Sequence, residues 1–178
     1  MVIFFGLMAV VGLYVAFFNS PQATPAPDVS TADHASRCSS IMPMEHSQAL
    51  IDRLDRSETT FASTTQDVMG QTTEGGEQTT YTQAGVRQVV EQRFYKETGR
   101  STARIYYASG KPFALIVQNI KYAVPLGVDN NGTVQSTEER AYFLDDTGAV
   151  CTWQLDGTSQ PVDEGTVKSV ETYLAGVL

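Results

Sequence analysis

Arginine and tyrosine carry the chemistry that recurs most visibly along this sequence. Arg93, Arg104 and Arg140 stand near Tyr95, Tyr106 and Tyr142. A guanidinium grips planar anions and stacks on aromatic rings, and both residue types are enriched at binding hot spots. Read as strand residues, all six fall on the wet face of one sheet and form a candidate binding surface. The plainer use of such residues is cross-strand pairing that stabilises the outer side of a sheet.

Other reactive groups lack the company that chemistry needs. The only histidines are His34 and His46, and Glu45-His46 is not the H-E-x-x-H pattern of a zinc site. No G-x-S-x-G elbow occurs, and Cys151 lies beside Trp153 in a strand, where packing or a disulfide is its expected use. Glu138-Glu139 and Asp145-Asp146 are adjacent pairs, which on a strand point to opposite faces. Asp129-Asn130-Asn131-Gly132 lacks the bidentate glutamate that closes a calcium loop and reads as a hairpin turn. No glycine-rich phosphate cradle is present. Catalytic residues, metal ligands and cofactors are therefore all assigned as none.

The positioning elements are read from turns and alternation. Gly85, Glu97-Thr98-Gly99, Ser109-Gly110-Lys111, Asp129–Gly132 and Asp145–Gly148 punctuate the chain, and glycine supplies the positive φ of tight hairpins. Between them lie six candidate strands, near 77–84, 86–96, 101–108, 112–123, 134–145 and 149–156. Ala103, Ile105 and Tyr107 face one way against Thr102, Arg104 and Tyr106. Ala141 and Phe143 likewise oppose Arg140 and Tyr142. Such alternation predicts an antiparallel sheet with one wet side, and Ile105, Tyr107, Phe143 and Trp153 are expected in one core. Phe113–Val117 is apolar on both faces and belongs centrally or under a helix. Apolar spacing predicts helices over 43–61 and 163–178, while 62–79 reads as a polar loop. The fold class is α+β, an antiparallel meander of about six strands covered by one or two helices.

Residues 1–18 carry no charge and would span about 27 Å as a helix, close to a bilayer core. They read as an uncleaved transmembrane anchor, with a cleaved signal segment as the alternative. A Pro/Ala/Ser-rich linker follows at 19–42, and 43–178 form one extracytoplasmic domain. The expected location is the bacterial inner membrane, single pass, with the domain in the periplasm or outside; secretion after cleavage is the alternative. Twenty acidic against 12 basic residues give a net charge of −8, which argues against nucleic acid as a partner. Cys38 and Cys151 are a possible disulfide in an oxidising compartment.

The runs GGEQTTYTQAG, RFYKETGRSTARIYYASGK and ERAYFLDDTGAVCTW resemble a group of uncharacterised exported bacterial proteins with repeated Y-x-x-G hairpins. The resemblance covers about residues 74 to 178 and implies an antiparallel meander with a C-terminal helix. The chain departs from that pattern at Asp145–Gly148, one residue longer than the simplest turn, and at Pro112. The resemblance implies no catalytic residues.

The expected function is a non-catalytic, membrane-tethered binding domain whose partner is an envelope protein or a periplasmic ligand. It should present a contiguous Tyr/Arg patch. A small envelope hydrolase or hydrolase inhibitor is one alternative, for which Glu91 or Glu139 should converge with a tyrosine in a concave pocket. A structural subunit of a membrane complex is the other.

Overall fold

Three of the turns dictate the hairpins by backbone geometry. Ala84-Gly85, Ser109-Gly110 and Asp156-Gly157 all hold positive φ at both central residues (49° and 77°, 52° and 81°, 47° and 76°). This is the type I′ requirement, whose twist matches that of the flanking strands. The computed structural model describes Cys38 and residues 41–68, 74–125 and 132–177. The expected anchor at 1–18, most of the linker and the turn at 129–131 lie outside the described residues.

The chain enters through helix α1 (Met44–Ser57) and a single 3-10 turn (Glu58–Thr60). Eight strands follow: β1 (Ala62–Val68), β2 (Gly76–Gln83), β3 (Val86–Lys96), β4 (Gly99–Ala108), β5 (Lys111–Tyr122), β6 (Val134–Leu144), β7 (Val150–Leu155) and β8 (Thr158–Gln160). Helix α2 (Glu164–Val177) closes the chain. The strands form one antiparallel sheet in sequence order, so the α+β meander is as expected, with two more strands than the turn signals predicted. β1 and the start of β2 take up 62–68 and 76–79 of the expected loop, whose residues 69–73 lie outside the described residues, and β8 extends the far edge.

The irregular positions at Pro112 and Asp145–Gly148 are both absorbed by bulges in the ladder. Tyr106 pairs with Ala114 and Tyr107 with Pro112, leaving Phe113 as the extra residue. Phe143 pairs with Thr152 and Leu144 with Val150. The intervening turn is built on Asp145, whose Oδ1 accepts from the Thr147 hydroxyl (2.7 Å) and from the N–H groups of Thr147 (2.8 Å) and Ala149 (3.0 Å). Burial pushes the Asp145 carboxyl up, but those donors outweigh it and hold the carboxyl below its usual range.

The helices lie on opposite faces, and this corrects the expectation of a single core with one wet side. On one face Val90, Ile105, Leu115 and Tyr142 pack under α2 through Val170 and Leu174. On the other, Val89, Tyr106, Ala114 and Phe143 pack under α1 through Ile51 and Leu54. Ile105, Tyr107 and Trp153 thus serve the α2 side while Phe143 serves the α1 side. Asp163 anchors α2, its Oδ1 accepting from the Thr166 N–H at 2.7 Å, as an N-cap carboxylate does. A disulfide joins Cys38 to Cys151 with 5.4 Å between Cα atoms, tying the chain before α1 to β7.

Candidate functional site

The α1-facing side of the sheet changes character along its strands, and the ladder registers show how. Its core row runs Val89, Tyr106, Ala114 and Phe143 across β3 to β6. Two residues further along, the row becomes Glu91, Arg104, Ile116 and Ala141. The next reads Arg93, Thr102, Gln118 and Glu139, and beyond it come Tyr95, Arg100, Ile120 and Thr137. Strand alternation keeps all these side chains on one face. The apolar row and α1 cover each other; the polar rows extend past the helix.

The result is an open groove of about 500 Å³ between α1 and the sheet. Gln48, Asp52 and Asp55 of α1 form one wall, and Arg93, Arg100, Thr102, Gln118 and Glu139 form the floor. At its inner end sits a charge cluster around Arg104. That guanidinium bonds Glu58, lies 3.3 Å from Asp55 Oδ1, and faces Glu91 Oε2 at 3.4 Å through Nε without hydrogen-bond alignment. Glu91, only 5 % exposed, is also held by Arg93 at 2.6 Å. Burial opposes the charge on Arg104, but Tyr106 and the carboxylates of Asp55, Glu58 and Glu91 more than restore it.

Tyrosines seal this cluster. Tyr106 donates its hydroxyl to Asp55 Oδ1 at 3.1 Å; burial, then the neighbouring Asp55 and Glu58 carboxylates, push its ionisation upward against the pull of Arg104. Tyr81 is pushed up to about 12, first by burial and next by its hydrogen bond with Glu58. Cluster members therefore neutralise one another, with Arg104 Nε the one buried polar side-chain atom among the described residues that lacks an aligned hydrogen bond. At the outer end, Arg100 is exposed and makes no ion pair among the described residues.

The six predicted site residues divide between the faces. Arg93, Tyr95, Arg104 and Tyr106 do lie on the α1 side. Tyr106, expected on a wet face, is 2 % exposed, because α1 covers it and Asp55 satisfies its hydroxyl. Tyr95 is exposed and donates to Glu77 at 2.9 Å. Arg140 pairs with Val117 and Tyr142 with Leu115, which places both on the α2 side. There Tyr142 stacks on Trp153 at 5.7 Å, and Arg140 bonds Glu138 at 2.8 Å. The expected contiguous patch of three Arg/Tyr pairs is thus split by the sheet itself. Sequence reasoning missed Arg100, Thr102 and Gln118. Their signal was available, since Thr102 and Arg104 were already on one face and Arg100 continues that alternation.

No protein-family model, curated protein or solved structure matches this chain. Among the described residues no helix is long and apolar enough to cross a membrane.

Proposed function

We propose that this protein is a non-catalytic, membrane-tethered binding domain that works outside the cytoplasm through the groove beside α1. The observation carrying this reading is the groove's composition. Arg93, Arg100, Thr102, Gln118 and Glu139 offer donors and acceptors on a rigid sheet floor facing solvent, which suits a polar, hydrogen-bonding partner. The partner is an envelope protein or a periplasmic ligand with polar groups at the spacing of the strands. The Cys38–Cys151 bond supports an oxidising compartment, and the uncharged run at 1–18 supports the tether.

A hydrolytic reading draws on the same place, because Glu91, Glu139 and Tyr106 all line the groove. Glu91 is engaged by Arg93 and Arg104, and the Tyr106 hydroxyl by Asp55. Of these three Glu139 alone is not engaged in this way, which leaves the expected glutamate–tyrosine pair without its tyrosine, so the binding reading is favoured.

The test is affinity capture from membranes with the full-length tagged chain and two groove variants, Arg100→Glu and Gln118→Ala. Both residues lie clear of the Arg104 cluster, so the fold should persist. We expect a partner retained by the wild type and reduced at least tenfold, about 1.4 kcal/mol, in Arg100→Glu. Unchanged capture by both variants would remove the groove from consideration.

A further inference from the structure

The two edges of the sheet are built differently. β8 closes one edge with three residues, a short strand of the kind that discourages further pairing. β1 forms the other with seven, ASTTQDV, all matched to β2 in unbroken register. No bulge turns this strand away, it holds neither lysine nor proline, and Asp67 is its single charge. All but Val68 are exposed, so neither helix lies over it. Alternate backbone N–H and C=O groups of such a strand point outward, and among the described residues no strand pairs with that side.

We infer that β1 is a self-association edge, pairing antiparallel with β1 of a second copy about a two-fold axis at Thr65. This centring engages the whole strand, and the sequence is complementary to itself in that register. Ala62 meets Val68, Ser63 meets Asp67, Thr64 meets Gln66, and Thr65 meets its own copy. The apolar ends come together, and Asp67 faces a hydroxyl instead of another carboxylate, avoiding the cost of like charges placed opposite. The threonine pair repeats the Thr65–Thr79 hydroxyl contact of 2.9 Å already made between β1 and β2. An extended peptide of another protein is the competing occupant, but nothing in its case accounts for this self-complementarity. The contact is isologous and closes at two copies. Seven paired residues span only about 23 Å, so the dimer is small, reversible and concentration-dependent.

Single cysteine substitutions in the full-length chain test the register. Across the proposed axis, two copies of position 65 stand about 5 Å apart, whereas copies of 64 or of 66 stand about 8 Å apart, too far to bridge. Under mild oxidation, Thr65→Cys should give at least ten times more disulfide-linked dimer than Thr64→Cys or Gln66→Cys. Equal linking at all three positions, or none at Thr65→Cys, would overturn the inference. A Thr65→Lys chain, which sets two ammonium groups opposite each other, should show reduced self-association in sedimentation with unchanged circular dichroism. Undiminished association would also overturn it. Should that variant fail to fold, the cysteine series decides alone.

Discussion

Arg104 shows how a residue suited to recognition can be committed to architecture instead. Its three carboxylate neighbours come from α1, the 3-10 turn and β3, so the guanidinium joins elements that the chain separates widely. Removing it would leave Glu91 and its neighbours short of a counter-charge in a half-buried setting, which is costly. Arg104→Glu is therefore a poor probe of binding, and Arg100 a better one. Asp145 is the second residue whose role is structural. Its carboxylate accepts three hydrogen bonds inside its own turn, and bonds to a charged acceptor contribute about 1.5–3 kcal/mol. Asp145→Ala should lower unfolding free energy at pH 7 by about 2 kcal/mol. Because the folded carboxyl is held below its ordinary value, that stability is present above about pH 4 and is lost as pH falls through the folded value. Urea melts at both ends of that range should show the variant and wild type converging in acid; equal stability at pH 7 would contradict this account of the turn. The DDTG run was legible as a turn from its sequence. The depressed carboxyl was not, since it depends on which amides the closed loop aims at Oδ1.

At the scale of elements, the six strands were legible because glycine marks their turns, at positive φ in Gly85, Gly110, Gly132 and Gly148 and through its close approach to Ile120 O in Gly99, and because most of the strands alternate. β8 had a signal that went unused: Asp156-Gly157 is the dipeptide that type I′ turns favour, and three residues after it suffice for an edge. β1 had almost none. Both its faces are exposed, so no apolar alternation marks it, and Thr64, Thr65 and Val68 are its strand-favouring residues. The cysteine pair needed the fold to bring its members together. It joins the segment leading into α1 to β7 across 113 residues, and closing a loop that long constrains the unfolded chain strongly. Replacing both cysteines by serine should lower stability by about 2–5 kcal/mol, read from chemical denaturation of the oxidised protein against the double variant. A double variant as stable as the oxidised chain would show that the bridge adds nothing to the docking of the α1 lead-in.

At the scale of the molecule, the described residues form a sheet with a helix on each face, and this is where alternation alone falls short. Strands β4 and β5 carry apolar residues on both sides, as Phe113–Val117 already indicated, and that pattern cannot say which helix covers which side. It also cannot say how far along the strands a helix reaches. α1 packs on the Val89–Tyr106–Ala114–Phe143 row, and the groove lies between its side and the Arg93–Thr102–Gln118–Glu139 row. Six Arg and Tyr positions chosen by type and assigned to one wet face by alternation therefore scatter over two faces, whereas the groove collects residues by row. The net charge of −8 does not predict the groove's local mixture of three arginines with Asp and Glu side chains. The row is the proposed seat of a partner of different sequence, as distinct from the β1 edge proposed for a second copy. The most direct measurement is photo-crosslinking in cells, with a photoreactive side chain placed at Gln118 in the groove or at Ser159 on the β8 edge. The account predicts a discrete adduct from position 118 and none from 159. Adducts of equal yield from both positions, or from 159 alone, would contradict it.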